Sequence, residues 1–105
     1  MKKRAIIAGH ICLDITPEKK EKKCNKLTDI LSPGKLVQVG DVTVSTGGAV
    51  ANTGLAMKIL GADVSLMGKV GADAFGQIVL NIVSEYDAAD GMVVDDTAES
   101  SYTIV

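Results

Sequence analysis

A chain of 105 residues that is 47% hydrophobic and 23% charged is long enough to bury one core and is expected to be a single globular unit. Its net charge of -2 excludes a general electrostatic attraction to nucleic acid or an anionic membrane, and no apolar run approaches the ~20 residues of a membrane-crossing helix. With one Phe, two Tyr and no Trp, the core must be aliphatic and stacking on nucleic-acid bases is poorly provided for.

The opening MKKRAIIAGHICLDI has the basic-then-apolar order of a signal peptide, but Gly9, His10 and Asp14 interrupt it and no small-residue cleavage site follows. The cytoplasm is the expected location. Cys12 and Cys24 are too few for a disulfide framework, and with His10 they offer three potential metal ligands at no recognised spacing, so no metal is expected.

Arg4 to Gly9 reads as a short buried strand stopped by glycine. Pro17 and the charged block Glu18 to Lys23 rule out continued core. The block reads as a solvated loop, with a basic ligand-binding loop as the other reading. Val37, Val39, Val42 and Val44 alternate around Gly40-Asp41, which predicts two short half-buried strands or one strand bulged at the glycine.

After Thr46-Gly47-Gly48 the pattern turns helical from Ala49 to Leu60, with Ala51, Leu55 and Ile59 on one stripe, Ala56 and Leu60 beside it, and Gly61 as the stop. Ala62 to Met67 follows as a strand with Val64 and Leu66 on one face. Asp73 is placed to cap a second helix, whose stripe is Phe75, Val79 and Val83. Gly91 to Val94 and Ser101 to Val105 read as the last strands. This order is that of an α/β fold, an open Rossmann-like sheet with helices and a small inserted β element.

Glycines between a strand and a helix let a ligand approach the backbone and the helix N-terminus, so Gly47-Gly48 could hold a polar group; a tight turn explains the same pair. Asn52 sits in the first turn of the helix, within an apolar stretch, where it could face a hydroxylated ligand or bond the local backbone. Asp14 stands beyond the first strand's carboxyl end, the edge where open α/β sheets bind ligands, and a carboxylate can accept two hydroxyl hydrogen bonds. Two phosphate loops are absent. Gly68-Lys69 is followed by Val70 and preceded by Asp63 where a P-loop needs glycine, and G-x-G-x-x-G occurs nowhere.

Together, Gly47-Gly48, Asn52, the G-A-x-V at Gly61 and the G-x-x-G-x-D-x-x-G from Gly68 to Gly76 resemble the first signature of the ribokinase-like (PfkB) carbohydrate kinases. G-x-x-x-x-D from Gly9 to Asp14, the lid-like VQVGDVTV and the final SSYTIV extend the resemblance over essentially the whole chain. It decides the glycine pair for the ligand-binding reading.

The resemblance implies that Asp14, Gly47, Gly48 and Asn52 hydrogen-bond a sugar or nucleoside, that Ser100 or Ser101 reaches it too, and that a lid at about residues 15–46 closes over it. Val50 and Gly54 depart from the family pattern and are expected to loosen the helix packing. The family's general base lies in a late G-A-G-D motif, which this sequence lacks, so no catalytic residue is assigned. Asp73 is expected to organise a turn and cap its helix instead. The implied protein is an ATP- and Mg2+-dependent sugar kinase of which these 105 residues are the N-terminal, sugar-side portion, inactive alone and without the nucleotide site. The alternative is a non-catalytic sugar-binding or self-associating module, with a homodimer through the lid as the expected partner.

Overall fold

The computed structural model describes residues 3–18, 33–34, 36 and 38–105. The fold is α/β, as expected, with its strands hydrogen-bonded in three pieces. Strand β1 (Arg4–Ala8) runs parallel to β4 (Asp63–Met67), in a register that sets Ala5 beside Val64 and Ile7 beside Leu66. One residue further, β5 (Lys69–Gly71) runs parallel to β6 (Val93–Asp95). The third piece has β2 (Cys12–Pro17) at its centre, antiparallel to β3 (Val42–Gly47) and parallel to β7 (Tyr102–Ile104).

Helix α1 (Gly48–Ile59) joins β3 to β4 and lies on β4. It ends in paired bonds from Gly61 N–H to the Lys58 carbonyl and from Ala62 N–H to the Met57 carbonyl. That closure needs a left-handed residue after the helix, and Gly61 supplies it at φ +92°. Helix α2 (Ala74–Glu85) joins β5 to β6 and buries Val79 and Val83 on the expected stripe, with Phe75 half-buried.

The core is aliphatic. Leu13, Val50, Leu66, Val79 and Val83 are its largest fully buried side chains, each stabilising by about 1.5–3 kcal/mol through removal from water. Among the described residues no helix is long and apolar enough to cross a membrane.

Four expectations change. Cys12–Pro17 is a further strand where none is expected, because β3 and β7 satisfy its backbone from both sides and Pro17 falls at its last position. The ladder runs on through Glu18, whose N–H reaches the Asp41 carbonyl and whose carbonyl accepts from Gly40 N–H. Among the described residues the expected β element is a strand only over Val42–Gly47: Val39 lies outside any strand, and Leu36 is nearly fully exposed. Val37 and residues 19–23 of the charged block lie outside the described residues.

Strand β1 is buried on one side only, since Ile6, beside Ser65 of β4 and on the face opposite Ala5 and Ile7, is 61% exposed. Finally, α1 buries Val50, Ala51 and Gly54, while Ile59 and Leu60 are exposed. A helix apolar nearly all round carries no stripe that fixes its inner face. Gly54 selects it, for a Cβ there would collide with Cδ2 of Leu66. Gly54 therefore closes the packing it was expected to loosen, and Val50 is fully buried.

Candidate functional site

Asp14 sits in the middle of β2, directly between Ser45 of β3 and Thr103 of β7. Side chains alternate across a sheet, so Cys12, Asp14, Thr16, Thr43, Ser45 and Thr103 share one polar face. Leu13, Ile15, Val44, Tyr102 and Ile104 form the other. At its inner end that apolar face is closed by α2, with Leu13 fully buried and the Tyr102 ring tilted at 59° against Phe75, 5.0 Å between centroids.

The chain leaves β3 at Gly47, which faces Cys12 across the ladder in extended backbone (φ -127°). A Cβ on Gly47 would stand 2.5 Å from Oδ2 of Asp14. The missing side chain is what leaves room for the carboxylate. Gly48 then turns the chain into α1 at φ +87°, and a Cβ there would meet the His10 carbonyl oxygen at 2.6 Å. That carbonyl accepts from Val50 N–H at 3.1 Å, which ties the start of α1 to the loop between β1 and β2.

Asp14, Gly47 and Gly48 are thus brought into one constellation. Asn52, one turn further along α1, lines an open cleft of about 480 Å³ with Val44, Ser45 and Thr46 of β3, Leu55 of α1, Ile82 of α2 and Tyr86 at its end, and Val44 and Thr46 belong to the face opposite Asp14, so this cleft does not join Asn52 to the constellation. The Ser45 side chain lies on the Asp14 face. Sequence reasoning misses this residue and Thr103, although the alternation Val42-Thr43-Val44-Ser45 holds the signal once Asp14 is known to lie on a strand.

Cys12 is buried, and its Sγ–H donates to Oδ1 of Asp14 over 3.5 Å. Burial pushes its thiol pKa up, the Asp14 charge and this hydrogen bond push it further, and only the Gly47 backbone opposes them. The thiol is a protonated donor at neutral pH. Among the described residues no three His, Cys, Asp or Glu side chains gather into a metal-binding group, and Cys24 lies outside the described residues.

Ser100 does not face this site. Its hydroxyl donates to Oδ1 of Asp73 at 2.6 Å and accepts from Gly71 N–H at 2.9 Å, while its own N–H reaches Oδ2 of Asp73 at 2.8 Å. Committed on all sides and buried, it is a clamp between β7 and α2 rather than a ligand contact. Ser101 is exposed, and its carbonyl accepts from Leu13 N–H.

Asp73 has the expected structural role: it caps α2 by accepting from Gly76 N–H at 2.7 Å. The Ser100 hydroxyl first, then the Ser100 and Gly76 N–H groups, hold its carboxyl below the usual carboxylate range. Asp95, bonded by the Thr97 hydroxyl and N–H and by Lys69, is held at about 2. Folded pKa values below the unfolded ones mean that both contributions are present above pH 3.8 and are lost as pH falls below it.

The Asp73→Asn variant, which keeps the shape but turns an N–H donor toward the donors of Ser100, is expected to unfold at lower urea concentration than the parent at about pH 7. The difference should shrink progressively as pH falls below 3.8 and the parent's own carboxyl takes up its proton. Equal midpoints at neutral pH would remove Asp73 from the forces holding β7 to α2.

The Gly68-Lys69 pair lies within the sheet region. Gly68 is buried between β4 and β5 and would strike Ile11 with any Cβ, and Lys69 is paired with Asp95 at 3.0 Å. This does not fit a phosphate cradle.

Residues 4–105 match the family model described as pfkB family carbohydrate kinase. Over 66 residues the chain is 39% identical to the bifunctional protein HldE of Hydrogenovibrio crunogenus (strain DSM 25203 / XCL-2), a match that covers 63% of this chain and 14% of that protein. Its fold superposes on fructokinase with bound ATP from Xylella fastidiosa with a TM-score of 0.70 at 25% identity, over 100% of this chain and 30% of that one. The Halothermothrix orenii fructokinase gives 0.71 at 25% identity, over 98% and 33%. Ribokinase from Cryptococcus neoformans var. grubii serotype A in complex with ADP gives 0.71 over 98% and 30%, and at 20% identity it bears on the fold alone. The chain spans about a third or less of each of these proteins. With a family model matching all but its first three residues, the chain belongs to the pfkB family of carbohydrate kinases.

Proposed function

We propose that these residues form the sugar-side part of an ATP-dependent sugar kinase. Asp14 accepts hydrogen bonds from hydroxyls of a sugar or nucleoside, Gly47 and Gly48 bring the backbone to within contact of it, and Asn52 holds it from the helix. The observation that carries this reading is the gap at Gly47, a glycine in backbone that any residue could adopt, where a Cβ would displace the Asp14 carboxylate. The β2–β3 ladder, within a lid at about residues 15–46, closes over the ligand and excludes water, which otherwise competes as phosphoryl acceptor. None of the described residues is assigned as the general base or as a ligand of ATP or Mg2+. On this reading the chain alone is inactive.

A second reading, self-association through the same sheet without catalysis, is favoured by its exposed edges: Val42 on β3 is 54% exposed and Ile104 on β7 is 66% exposed. Isothermal titration of the chain with pentoses, hexoses and nucleosides, beside Asp14→Ala, tests the first. Saturable binding that weakens by at least about tenfold in the variant is expected. Absence of binding by a folded chain that sediments as a dimer would leave the second reading standing.

A further inference from the structure

We infer that Ser45 and Thr103 flank Asp14 as additional hydroxyl contacts, so that the site reads a row of hydroxyls along one edge of a free sugar. This rests on the proposed binding role of Asp14. The cross-strand register places the three residues side by side on adjacent strands, and adjacent strands lie about 4.8 Å apart, so the row is about 10 Å wide. That exceeds what one carboxylate covers and suits a ring sugar with hydroxyls on both sides of the one held by Asp14. A nucleoside would set its base against one end of the row.

A further observation points the same way. Both Ser45 and Thr103 are exposed on the polar face, whereas the hydroxyls of Ser100 and Thr97 are bound to Asp73 and Asp95. A strand surface carrying hydroxyls on both neighbours of a ligand-binding carboxylate is complementary to a polyol, whose oxygens each donate and accept.

The test uses the whole chain with D-fructose and D-ribose, followed by the monodeoxy analogues of whichever binds, against Ser45→Ala, Thr103→Val and Asp14→Ala. Ser45→Ala and Thr103→Val are each expected to weaken binding of the parent sugar about three- to tenfold at an unchanged melting temperature. For each variant, one deoxy analogue should bind parent protein and variant equally, because the hydroxyl matching the deleted side chain is already gone. If Asp14→Ala abolishes binding while both other variants bind every sugar as the parent does, the flanking contacts are overturned and the Asp14 reading stands. Binding indifferent to Asp14→Ala, or no binding of either sugar by the folded chain, overturns both.

Discussion

Gly47→Ala and Gly48→Ala, one position apart, are expected to fail in different ways. At Gly48 the backbone lies at φ +87°, where an L side chain costs ~1–2 kcal/mol. The new Cβ would also press on the carbonyl oxygen of His10, a backbone atom already bonded to Val50 N–H. Relieving that contact means moving either the β1–β2 loop or the start of α1. The summed cost is about 2–4 kcal/mol, which in a domain of this size lowers the melting temperature by roughly 10–25 °C.

At Gly47 the backbone is ordinary extended chain, and the contact is with the carboxylate of Asp14 at 2.5 Å. A side chain can rotate where a backbone cannot. Gly47→Ala should therefore leave stability within ~1 kcal/mol of the parent and weaken sugar binding by at least about tenfold, because the carboxylate is turned out of place. Thermal denaturation and titration calorimetry on the same two preparations separate the effects. A Gly47→Ala protein that binds sugar normally would show that the approach of Gly47 to Asp14 does not shape the site.

The difference between these glycines marks how far the sequence can be read. Strand–glycine pair–helix is visible from residue types, because helix periodicity begins at Ala49 and β alternation ends before Gly47. Which glycine admits a carboxylate and which makes a turn depends on Asp14 and His10, more than thirty residues away in the chain. Local pattern does not carry that pairing. Asp14 itself reads as lying beyond the first strand, because Gly9 stops that strand's apolar run. Only the pairing with β3 and β7 shows that it lies within a strand and has Ser45 and Thr103 as neighbours.

The helices divide in the same way. α2 alternates apolar and polar residues at helical spacing, so Val79 and Val83 are legible as its inner face. Ser100 misleads for a different reason. The family resemblance implies a ligand contact there, whereas the Asp73 carboxylate that engages it lies at the start of α2.

The inner face of α1 is not legible, and its packing yields the last expectation. Gly54 faces Leu66, which is fully buried on β4. Gly54→Ala gains helix propensity of ~1 kcal/mol but drives a methyl into Cδ2 of Leu66, and overpacking of this kind costs about 1–3 kcal/mol. Leu66→Ala alone removes the largest contact beneath the helix and should cost about 2–5 kcal/mol through lost burial and the cavity left behind. In the double variant each change relieves the other: the Leu66 methyl that blocks a Cβ at position 54 is gone, and that added Cβ occupies part of the vacated space. The double variant is therefore expected to be more stable than the sum of the singles by about 1–2 kcal/mol, measured by urea unfolding. Additivity to within ~0.3 kcal/mol would mean that α1 does not rest on Leu66 through Gly54, and the helix orientation that presents Asn52 to the cleft would lose its physical basis.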